Sequence, residues 1–364
     1  YKRQVIIHVP HYLSFTGEAT AGGRQRFVRD MAKVVRDTWK RDVVFIQKAT
    51  QSFDSVCPAG FRVIGVKCRT DKWGDPVLGR FTREFAEKRD GVVYASGEDP
   101  WPFLCKGAKA IQHGIWWDGP YGWHKRVFQR FRVMRFMEKM KSVLCVDTNF
   151  INWLRCQGPA GLRLVNKCFY APNYADTDTL RMTTRARKRG EPLRLIYARR
   201  HVPRRGPHLF LDTLRLLAED EFPFHAKICT VEGVDLLKEE ARRRGIDACC
   251  EVLECTLDEM MKQYADVDVA VVPTLWSEGT SLACVEAICA GVPVVASPVG
   301  GLGNIVIPNF NGLVAAPQAE AFASAIIEMG EPEAWAKMHE NCLSMREALS
   351  LNRWKEAMLH WLAG

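Results

Sequence analysis

The sequence lacks several features that would place it in other classes of protein. No apolar run reaches the roughly 18 residues that a membrane-spanning helix needs. No signal peptide is recognisable. None of the 13 cysteines forms a Cys-x-x-Cys pair, which argues against a zinc or disulfide framework and favours reduced cysteines. We therefore expect a cytoplasmic protein.

Signals for nucleic-acid and dinucleotide binding are also missing. No recognised nucleic-acid module is present. The glycine loop after the first strand is not a G-x-G-x-x-G fingerprint, so no dinucleotide is implied. The net charge of +9 nevertheless predicts an anionic partner. The candidates are a nucleotide diphosphate, a phosphorylated lipid carrier and an anionic membrane surface, with nucleic acid disfavoured.

The sequence does contain alternating strands and segments of helical length, which predict parallel α/β sheets. The 364 residues are enough for two domains. Ligands of such sheets bind beyond the carboxyl ends of the strands. The short β-branched segments predicted as strands are 5–10, 42–46, 62–66, 91–95, 108–114, 143–148, 192–198, 224–230, 251–255, 269–273 and 292–295.

The stretch 278–297 carries the strongest functional signal. A helix is predicted to begin after the small residues 279–281 and to end at Gly291. Backbone N–H groups at such a start are unpaired and form an anion site. Glu278 precedes the helix and Glu286 follows eight positions later. Two carboxylates are therefore expected close to the point where a phosphate would bind.

This order of residues resembles the retaining, nucleotide-sugar-dependent glycosyltransferases of family 4, which belong to the glycosyl transferases group 1. They carry a Glu-x7-Glu pair, then Gly-x-Pro-Val, then Gly-Gly. Here these read Glu278 and Glu286, residues 291–294, and Gly300-Gly301. The lone Glu-x7-Glu pair would be uninformative, but the flanking pattern in the same order is specific.

Two further segments resemble the same family. Residues 199–206 are similar to its strand-end GR-x4-KG segment, with Arg200 and Arg205-Gly206 in the key places. Arg199 stands where glycine is usual, and Arg205 stands where lysine is usual. Residues 171–176, APNYAD, are similar to its pNgvD segment.

The resemblance implies the GT-B fold, in which two Rossmann-like α/β domains face each other across a cleft. We expect an acceptor-side domain at 1–177 and a linker at 178–190. A nucleotide-sugar-binding domain is expected at 191–348. A C-terminal helix, 349–364, is expected to pack back on the first domain.

The resemblance also implies retaining transfer of a sugar from a UDP- or GDP-sugar to a glycan or lipid-linked glycan acceptor. No metal or other cofactor is expected, because arginines and helix amides can carry the charge of the leaving diphosphate. The residues implied as catalytic are His113, Glu278, Arg200 and Arg205. Those implied to contact the donor are Gly22, Gly23, Arg200, Arg205, Gly279, Thr280, Ser281, Leu282 and Glu286.

Some alternatives stay open at the level of sequence. A non-catalytic nucleotide- or glycan-binding module and a nucleotide-sugar epimerase share this fold. Asp266-Val267-Asp268 has the Asp-x-Asp spelling of metal-dependent enzymes but precedes a buried strand, so we interpret it as structural.

The basic segment 123–141 follows a loop rich in aromatic residues, Trp116, Trp117, Tyr121 and Trp123. It fits a membrane- or acceptor-phosphate-facing surface, peripheral at the inner face of a membrane. It fits equally a half-buried helix with snorkelling cations.

Overall fold

The computed structural model describes residues 4–18, 22–87, 89, 91–95, 102–114 and 119–364. Trp116 and Trp117, two of the aromatic residues noted before the basic segment, lie outside these ranges. The chain divides into two compact units. The first comprises Tyr1–Ala171 and Lys355–Gly364, and the second comprises Pro172–Trp354. Within the described ranges, no helix is both long and apolar enough to span a bilayer.

The described part of the first unit contains one sheet with the strand order β3-β4-β2-β1-β5-β6-β7-β8. Its pairs are parallel except for the short edge strand β3, which runs antiparallel to β4. The strands are β1 Gln4–His8, β2 Asp42–Ala49, β3 Phe53–Val56, β4 Arg62–Lys67, β5 Gly91–Tyr94, β6 Lys109–Gln112, β7 Ser142–Cys145 and β8 Cys168–Tyr170.

Helices lie between several of these strands along the chain. The helix that follows the first glycine loop, Gly23–Trp39, buries Phe27, Met31, Val34 and Val35 on one face. The helices of this unit are α1 Gly23–Trp39, α2 Asp75–Ala86, α3 Trp123–Lys139, α4 Asn149–Arg155 and α5 Gly158–Val165.

The second unit has a sheet with the order β11-β10-β9-β12-β13-β14, in which every pair is parallel. From β9, the next two strands in the chain, β10 and β11, are added on one side. The following strands, β12 to β14, are added on the other side of β9, so the direction reverses between β9 and β12. In open α/β sheets, ligands bind at such a reversal. The strands are β9 Leu193–Ala198, β10 Phe224–Thr230, β11 Cys250–Glu254, β12 Val269–Val272, β13 Val294–Ala296 and β14 Gly312–Val314.

Helices cover this sheet on both faces, so β9 is buried on both sides. Leu193, Leu195 and Tyr197 join one core cluster, and Ile196 and Ala198 join the other. This is why β9 reads as a continuous apolar run. The helices are α6 Pro207–Glu219, α7 Val234–Arg243, α8 Leu257–Lys262, α9 Leu282–Cys289, α10 Ala319–Met329, α11 Pro332–Met345 and α12 Leu351–Ala363.

The last helix, α12, begins in the second unit, and its residues from Lys355 onward belong to the first. Within the first unit, Lys109 Nζ donates to the carbonyl oxygens of Trp361 and Leu362 at 2.6 and 2.8 Å. The Trp361 indole donates to Ser142 Oγ at 2.6 Å. These bonds tie the end of the chain to β6 and β7.

The stretch 178–190, predicted as a linker, lies within the second unit and contains neither helix nor strand. Asp268 holds it there. This carboxylate is fully buried and pairs with Arg185 at 3.1 Å and Arg187 at 3.5 Å. It also accepts the backbone N–H of Arg194 at 2.9 Å. The second aspartate of the Asp-x-Asp spelling is thus occupied by interior ion pairs, in agreement with the structural interpretation.

Candidate functional site

The candidate site of the second unit lies where its sheet order reverses. Arg199 follows β9 directly, and Thr274 and Glu278 follow β12. These two strands are neighbours, so the loops at their carboxyl ends meet. The fold therefore brings basic, hydroxyl and carboxylate side chains that are about eighty positions apart in the sequence into one place.

Three side chains hold the carboxylate of Glu278 through one oxygen, Oε2, two by hydrogen bonds and one by an ion pair. Arg199 donates to it through Nη2, and Arg205 Nη1 lies 3.5 Å away. The Thr274 hydroxyl lies 3.4 Å from the same oxygen. Within the described part of the chain, Oε1 has no protein partner. Since the Glu278 side chain keeps 11% of its surface exposed, this second oxygen is open to a ligand.

Glu278 is ionised in this setting. Burial raises the pKa of its carboxyl group, but the charges of Arg199 and Arg205 outweigh burial, and the pKa lies below its ordinary value. Burial lowers the pKa of Arg199, and Glu278 more than compensates, so that pKa is raised. Arg199 has no exposed side-chain surface and donates from Nη1 to Thr274 at 2.6 Å. It is a buried support for Glu278.

Two glycines allow the loop that carries Glu278 to approach its neighbours. Gly206 has φ +73°, and a Cβ there would lie 1.9 Å from the carbonyl oxygen of Pro273. Gly300 has φ +56°, and a Cβ there would lie 1.9 Å from the carbonyl oxygen of Glu278. The amide of Gly301 donates to that same carbonyl at 3.0 Å. A side chain at either glycine would push the loop away.

The start of α9 is fixed from the segment 171–176. The backbone N–H of Asn173 donates to Thr280 Oγ1 at 2.9 Å, and its side-chain amide donates to the Thr280 carbonyl. Thr280 and Ser281 are buried, as is Gly279, while Leu282 is half-buried. Ser281 occupies the N-cap position without a side-chain cap bond. The first amides of α9 are thus placed beside the Glu278 loop, as the sequence predicted.

Glu286 lies within α9 and is 7% exposed. Burial and the nearby Glu286 charge raise the pKa of Tyr264. The Tyr264 hydroxyl donates to the carbonyl of Ala283 at 3.3 Å. Glu286 therefore lies in the helix whose first amides form the predicted phosphate site, and its side chain is mostly buried. Its role toward a ribose stays a prediction.

Arg200 points elsewhere than Arg199. Its Nε donates to Glu232 at 3.1 Å, and both side chains are 46% exposed. Sequence reasoning assigned the functional arginine to position 200 and regarded Arg199 as a departure from the family pattern. In the structure it is Arg199 that contacts Glu278, whereas Arg200 lies on the surface with an acidic partner. A role of Arg200 toward a diphosphate stays a prediction.

The first unit contains the other candidate residues. His113 follows β6; its ring lies edge-on to Phe27 at 5.1 Å, and its buried Nε2 has no partner among the described residues. Burial and the nearby Arg24 lower the pKa of His113 to about 3, so the imidazole is neutral at physiological pH. Gly22 is buried and precedes α1, which begins at Gly23.

Sequence reasoning missed Arg199, Thr274 and the specific role of Asn173. Their partners lie 79, 4 and 107 positions away, so only the tertiary fold reveals the first and the last. The one available signal was an arginine directly after a buried strand, where glycine is usual in the family. In the described residues, no group of three or more His, Cys, Asp or Glu side chains is arranged to hold a metal ion.

Solved structures resemble this chain over its full length. Sucrose-phosphate synthase from Thermosynechococcus elongatus superposes with a TM-score of 0.80 at 17% identity, covering 100% of this chain and 98% of that one. Anabaena Alr3699/HepE in complex with UDP-glucose superposes with a TM-score of 0.74 at 14% identity, covering 99% of both. These likenesses confirm the predicted GT-B fold class with two α/β sheets.

Sequence comparison shows which family the second unit resembles. The amylovoran biosynthesis glycosyltransferase AmsK of Erwinia amylovora is 25% identical over 152 residues, which are 40% of this chain and 37% of that relative's length. Residues 181–345 match the family described as glycosyl transferases group 1. This range contains Arg199, Arg205, Glu278 and Glu286. Residues 181–345 of the chain are thus similar to the glycosyl transferases group 1 family.

Proposed function

We propose that the chain is a glycosyltransferase that moves a sugar from a nucleotide diphosphate sugar to a glycan acceptor. One observation carries this proposal. The segment that matches the glycosyl transferases group 1 folds so that an ionised Glu278, two arginines and a helix start meet at the reversal point of a parallel sheet. Such reversal points bind nucleotides in other α/β proteins.

Charge stabilisation of the leaving diphosphate is the central chemical requirement. Cleavage of the sugar–phosphate bond places negative charge on the leaving group, and preorganised donors stabilise that charge best. Arg205 is 29% exposed, so its guanidinium is accessible to a ligand while it contacts Glu278. The first amides of α9 supply a second set of donors. We assign diphosphate binding to Arg205 and these amides, without a metal ion.

Glu278 orients the donor sugar in this proposal. Its Oε2 is anchored by Arg199, Arg205 and Thr274, so the open Oε1 has a fixed direction. An ionised carboxylate oxygen accepts hydrogen bonds from hydroxyl groups, which suits a sugar hydroxyl. The two hydrogen bonds and the ion pair at Oε2 also reduce the nucleophilicity of the carboxylate. The retaining course implied by the family resemblance is therefore assigned to same-face attack assisted by the departing phosphate.

Arg200 and Glu286 complete the proposed donor site. Exposed ion pairs contribute less than about 1 kcal/mol, so Arg200 can leave Glu232 for a diphosphate at little cost. Glu286 is assigned to the ribose hydroxyls, because a carboxylate accepts two O–H donors at once. In the first unit, the neutral His113 and the glycines Gly22 and Gly23 are assigned to substrate contact on the strength of the resemblance alone.

A UDP- or GDP-sugar is the proposed donor, and a glycan or lipid-linked glycan is the proposed acceptor. Support for UDP comes from the structural neighbour HepE, whose structure contains UDP-glucose. Support for a glycan acceptor comes from AmsK, whose name refers to the biosynthesis of amylovoran.

The test is release of UDP or GDP from a panel of nucleotide sugars, with and without glycan acceptors, in EDTA and with added Mg²⁺. We expect acceptor-dependent release that EDTA does not abolish and that Glu278→Gln removes. Release that requires added Mg²⁺ would overturn the assignment of charge stabilisation to Arg205 and the α9 amides. Binding of nucleotide without turnover of any sugar would favour a non-catalytic module. Conversion of the nucleotide sugar without release of nucleotide would favour an epimerase.

A further inference from the structure

Helix α3 leaves its first two turns unpacked. Every residue from 122 to 128 is exposed, and the helix becomes buried only from Val133 onward. An exposed helix end normally carries polar side chains on all sides. Here, large apolar side chains remain in contact with solvent, at exposures of 77% for Trp123, 59% for Val127, 56% for Phe128 and 49% for Phe131.

These four side chains form one face of the helix. At roughly 100° per residue, they span an arc of about 140°. The buried residues Val133, Phe136 and Met137 fall on the opposite side by the same geometry. Two opposed apolar faces explain why the sequence shows no single apolar stripe here. One face packs into the first unit, and the other is exposed to solvent.

Positive charge flanks the exposed apolar face. Residues 119–141 carry seven Lys and Arg against one Glu, in a chain whose net charge is +9. By the same helical geometry, Arg130 borders one side of the apolar arc and Arg132 borders the other. The first turn has no acidic residue, so the positive end of the helix dipole adds to this charge.

The cations are placed beside aromatic rings. Lys125 Nζ lies 3.8 Å from the centroid of the Tyr121 ring. The guanidinium of Arg135 lies 5.5 Å from the Phe131 ring and 3.1 Å from Glu138. Cationic and aromatic groups therefore occupy the same surface, which suits a partner that is apolar within and anionic at its boundary.

The other end of α3 is fixed to the unit. Lys167 Nζ donates to the carbonyl oxygens of Met137, Glu138 and Met140 at 2.9, 2.9 and 2.7 Å. The amide of Gly107 donates to the carbonyl of Lys139 at 2.8 Å. The C-terminal half is thus capped and packed, and the exposed N-terminal half continues directly from it.

We propose that residues 123–135 of α3, here termed the α3 tip, dock on an anionic lipid bilayer. The apolar face enters the headgroup boundary, and the flanking cations bind lipid phosphates. A bilayer accommodates both parts of this surface, since tryptophan and phenylalanine insert while basic groups remain at the headgroups. A nucleic acid would pair with the cations but would leave Val127 and the phenylalanines without apolar contact. This binding requires no nucleotide and does not rest on sugar transfer.

The test is flotation of the full chain with vesicles of phosphatidylcholine alone or in equimolar mixture with phosphatidylglycerol, without nucleotide. We expect the chain to float with the mixed vesicles, and less so at high salt. The triple variant Trp123→Ser, Phe128→Ser, Phe131→Ser should bind at least about tenfold more weakly, because its apolar insertion is lost. Arg130→Glu should weaken binding by about fivefold for each unit of charge removed.

Matched controls lie elsewhere on the surface. Trp73 is 66% exposed, and Arg181 is exposed in the second unit. Trp73→Ser and Arg181→Glu should therefore float like the unmodified chain. The thermal unfolding of the triple variant should be unchanged, since its substituted side chains are exposed. If that transition is lost, the single change Trp123→Ser decides.

Three results would overturn the proposal. The first is absence of the chain from the floated fraction with mixed vesicles. The second is equal flotation of the triple variant and the unmodified chain. The third is binding to a single-stranded oligonucleotide that the triple variant retains while vesicles do not bind, which would show a surface for nucleic acid.

Discussion

At the scale of the residue, the adjacent Arg199 and Arg200 differ in burial and in ion-pair partner. Arg199 has no exposed side-chain surface and pairs with the mostly buried Glu278. Arg200 pairs with Glu232 in an ion pair in which both partners are 46% exposed. A buried charge that loses its partner destabilises a protein strongly, whereas an exposed ion pair contributes little. Substitution of Arg199 is therefore expected to destabilise the fold strongly, whereas substitution of Arg200 is expected to have little effect on stability.

Arg199→Met should lower the free energy of unfolding by about 3 kcal/mol at neutral pH, because Glu278 keeps only part of its compensating charge. Arg200→Met should cost less than about 1 kcal/mol. Urea unfolding of both variants beside the unmodified chain measures these differences. Equal losses in the two variants would contradict the distinct environments of the two arginines.

Arg199→Met should also change the pH dependence of the unfolding free energy. The pKa of Glu278 is lowered in the folded chain, so its contribution is present above the unfolded value of about 4.3 and is lost as the pH falls through the lower folded value. In Arg199→Met, burial dominates and raises the pKa of Glu278 above its unfolded value, so the sign reverses. The buried carboxylate then destabilises the variant at neutral pH, and this loss should be relieved as the pH falls through the raised folded value. Unfolding free energies measured from pH 3 to 7 test this. Parallel curves for both proteins would rule out a charge-based role for Arg199.

Arg205→Ala should lower the transfer rate by about 100-fold, comparable to the removal of one donor from an oxyanion hole. Arg205→Lys should recover part of the rate, since a single ammonium keeps the charge but not the planar fork. Steady-state kcat and KM for the donor separate this role from simple binding. An unchanged kcat in Arg205→Ala would place the diphosphate elsewhere.

At the scale of the element, the loops of the candidate site depend on glycines whose neighbours are backbone atoms. Gly300→Ala puts a Cβ within van der Waals overlap of the Glu278 carbonyl oxygen, at 1.9 Å. Gly245 has a similar positive φ of +67°, but a Cβ there meets nothing within 4 Å. Comparing alanine substitutions at Gly300 and Gly245 therefore separates the effect of steric conflict from the cost of a left-handed backbone conformation.

Gly245→Ala should cost only the left-handed strain of about 1–2 kcal/mol and leave transfer activity unchanged. Gly300→Ala should cost clearly more and should also lower kcat, because the Glu278 loop has to move. Thermal unfolding and donor kinetics on both variants provide the comparison. Equal behaviour would mean that the Gly300 loop can relax without disturbing Glu278.

The elements also show how far the sequence could predict the site. The strand-helix alternation, the resemblance to group 1 glycosyltransferases and the position of Glu278 before α9 followed from local pattern and are confirmed. The edge strand β3 was missed because its residues alternate between half-buried and exposed, which leaves a weak apolar signal. The second apolar face of α3 was not resolved, since periodicity alone does not show which of two faces is packed.

The contacts between distant segments were beyond sequence reasoning for a different physical reason. The ion pair of Arg185 with Asp268 and the bonds of Asn173 to Thr280 join positions 83 and 107 apart. Nothing in the local composition of a polar stretch distinguishes a side chain that enters the core from one that stays in water. Such pairings are properties of the folded unit.

At the scale of the whole molecule, the two units have separate described cores. One cluster consists wholly of first-unit residues, and two consist wholly of second-unit residues. Each unit can therefore open with its own free energy. A ligand bound by one unit stabilises that unit by mass action.

UDP or GDP should therefore slow amide hydrogen exchange mainly in the second unit. At a concentration of about 100 times Kd, the expected stabilisation is about 2.7 kcal/mol, or about 100-fold in the exchange rate of amides that open with the unit. Strands β9 and β12 should show this protection, whereas β1 and β2 should change little. The variant Glu286→Ala should lose most of the effect at the same concentration, because its ribose contacts are removed. Equal protection of both units would mean that they open as one body, and no protection in β9 and β12 would remove the nucleotide from the second unit.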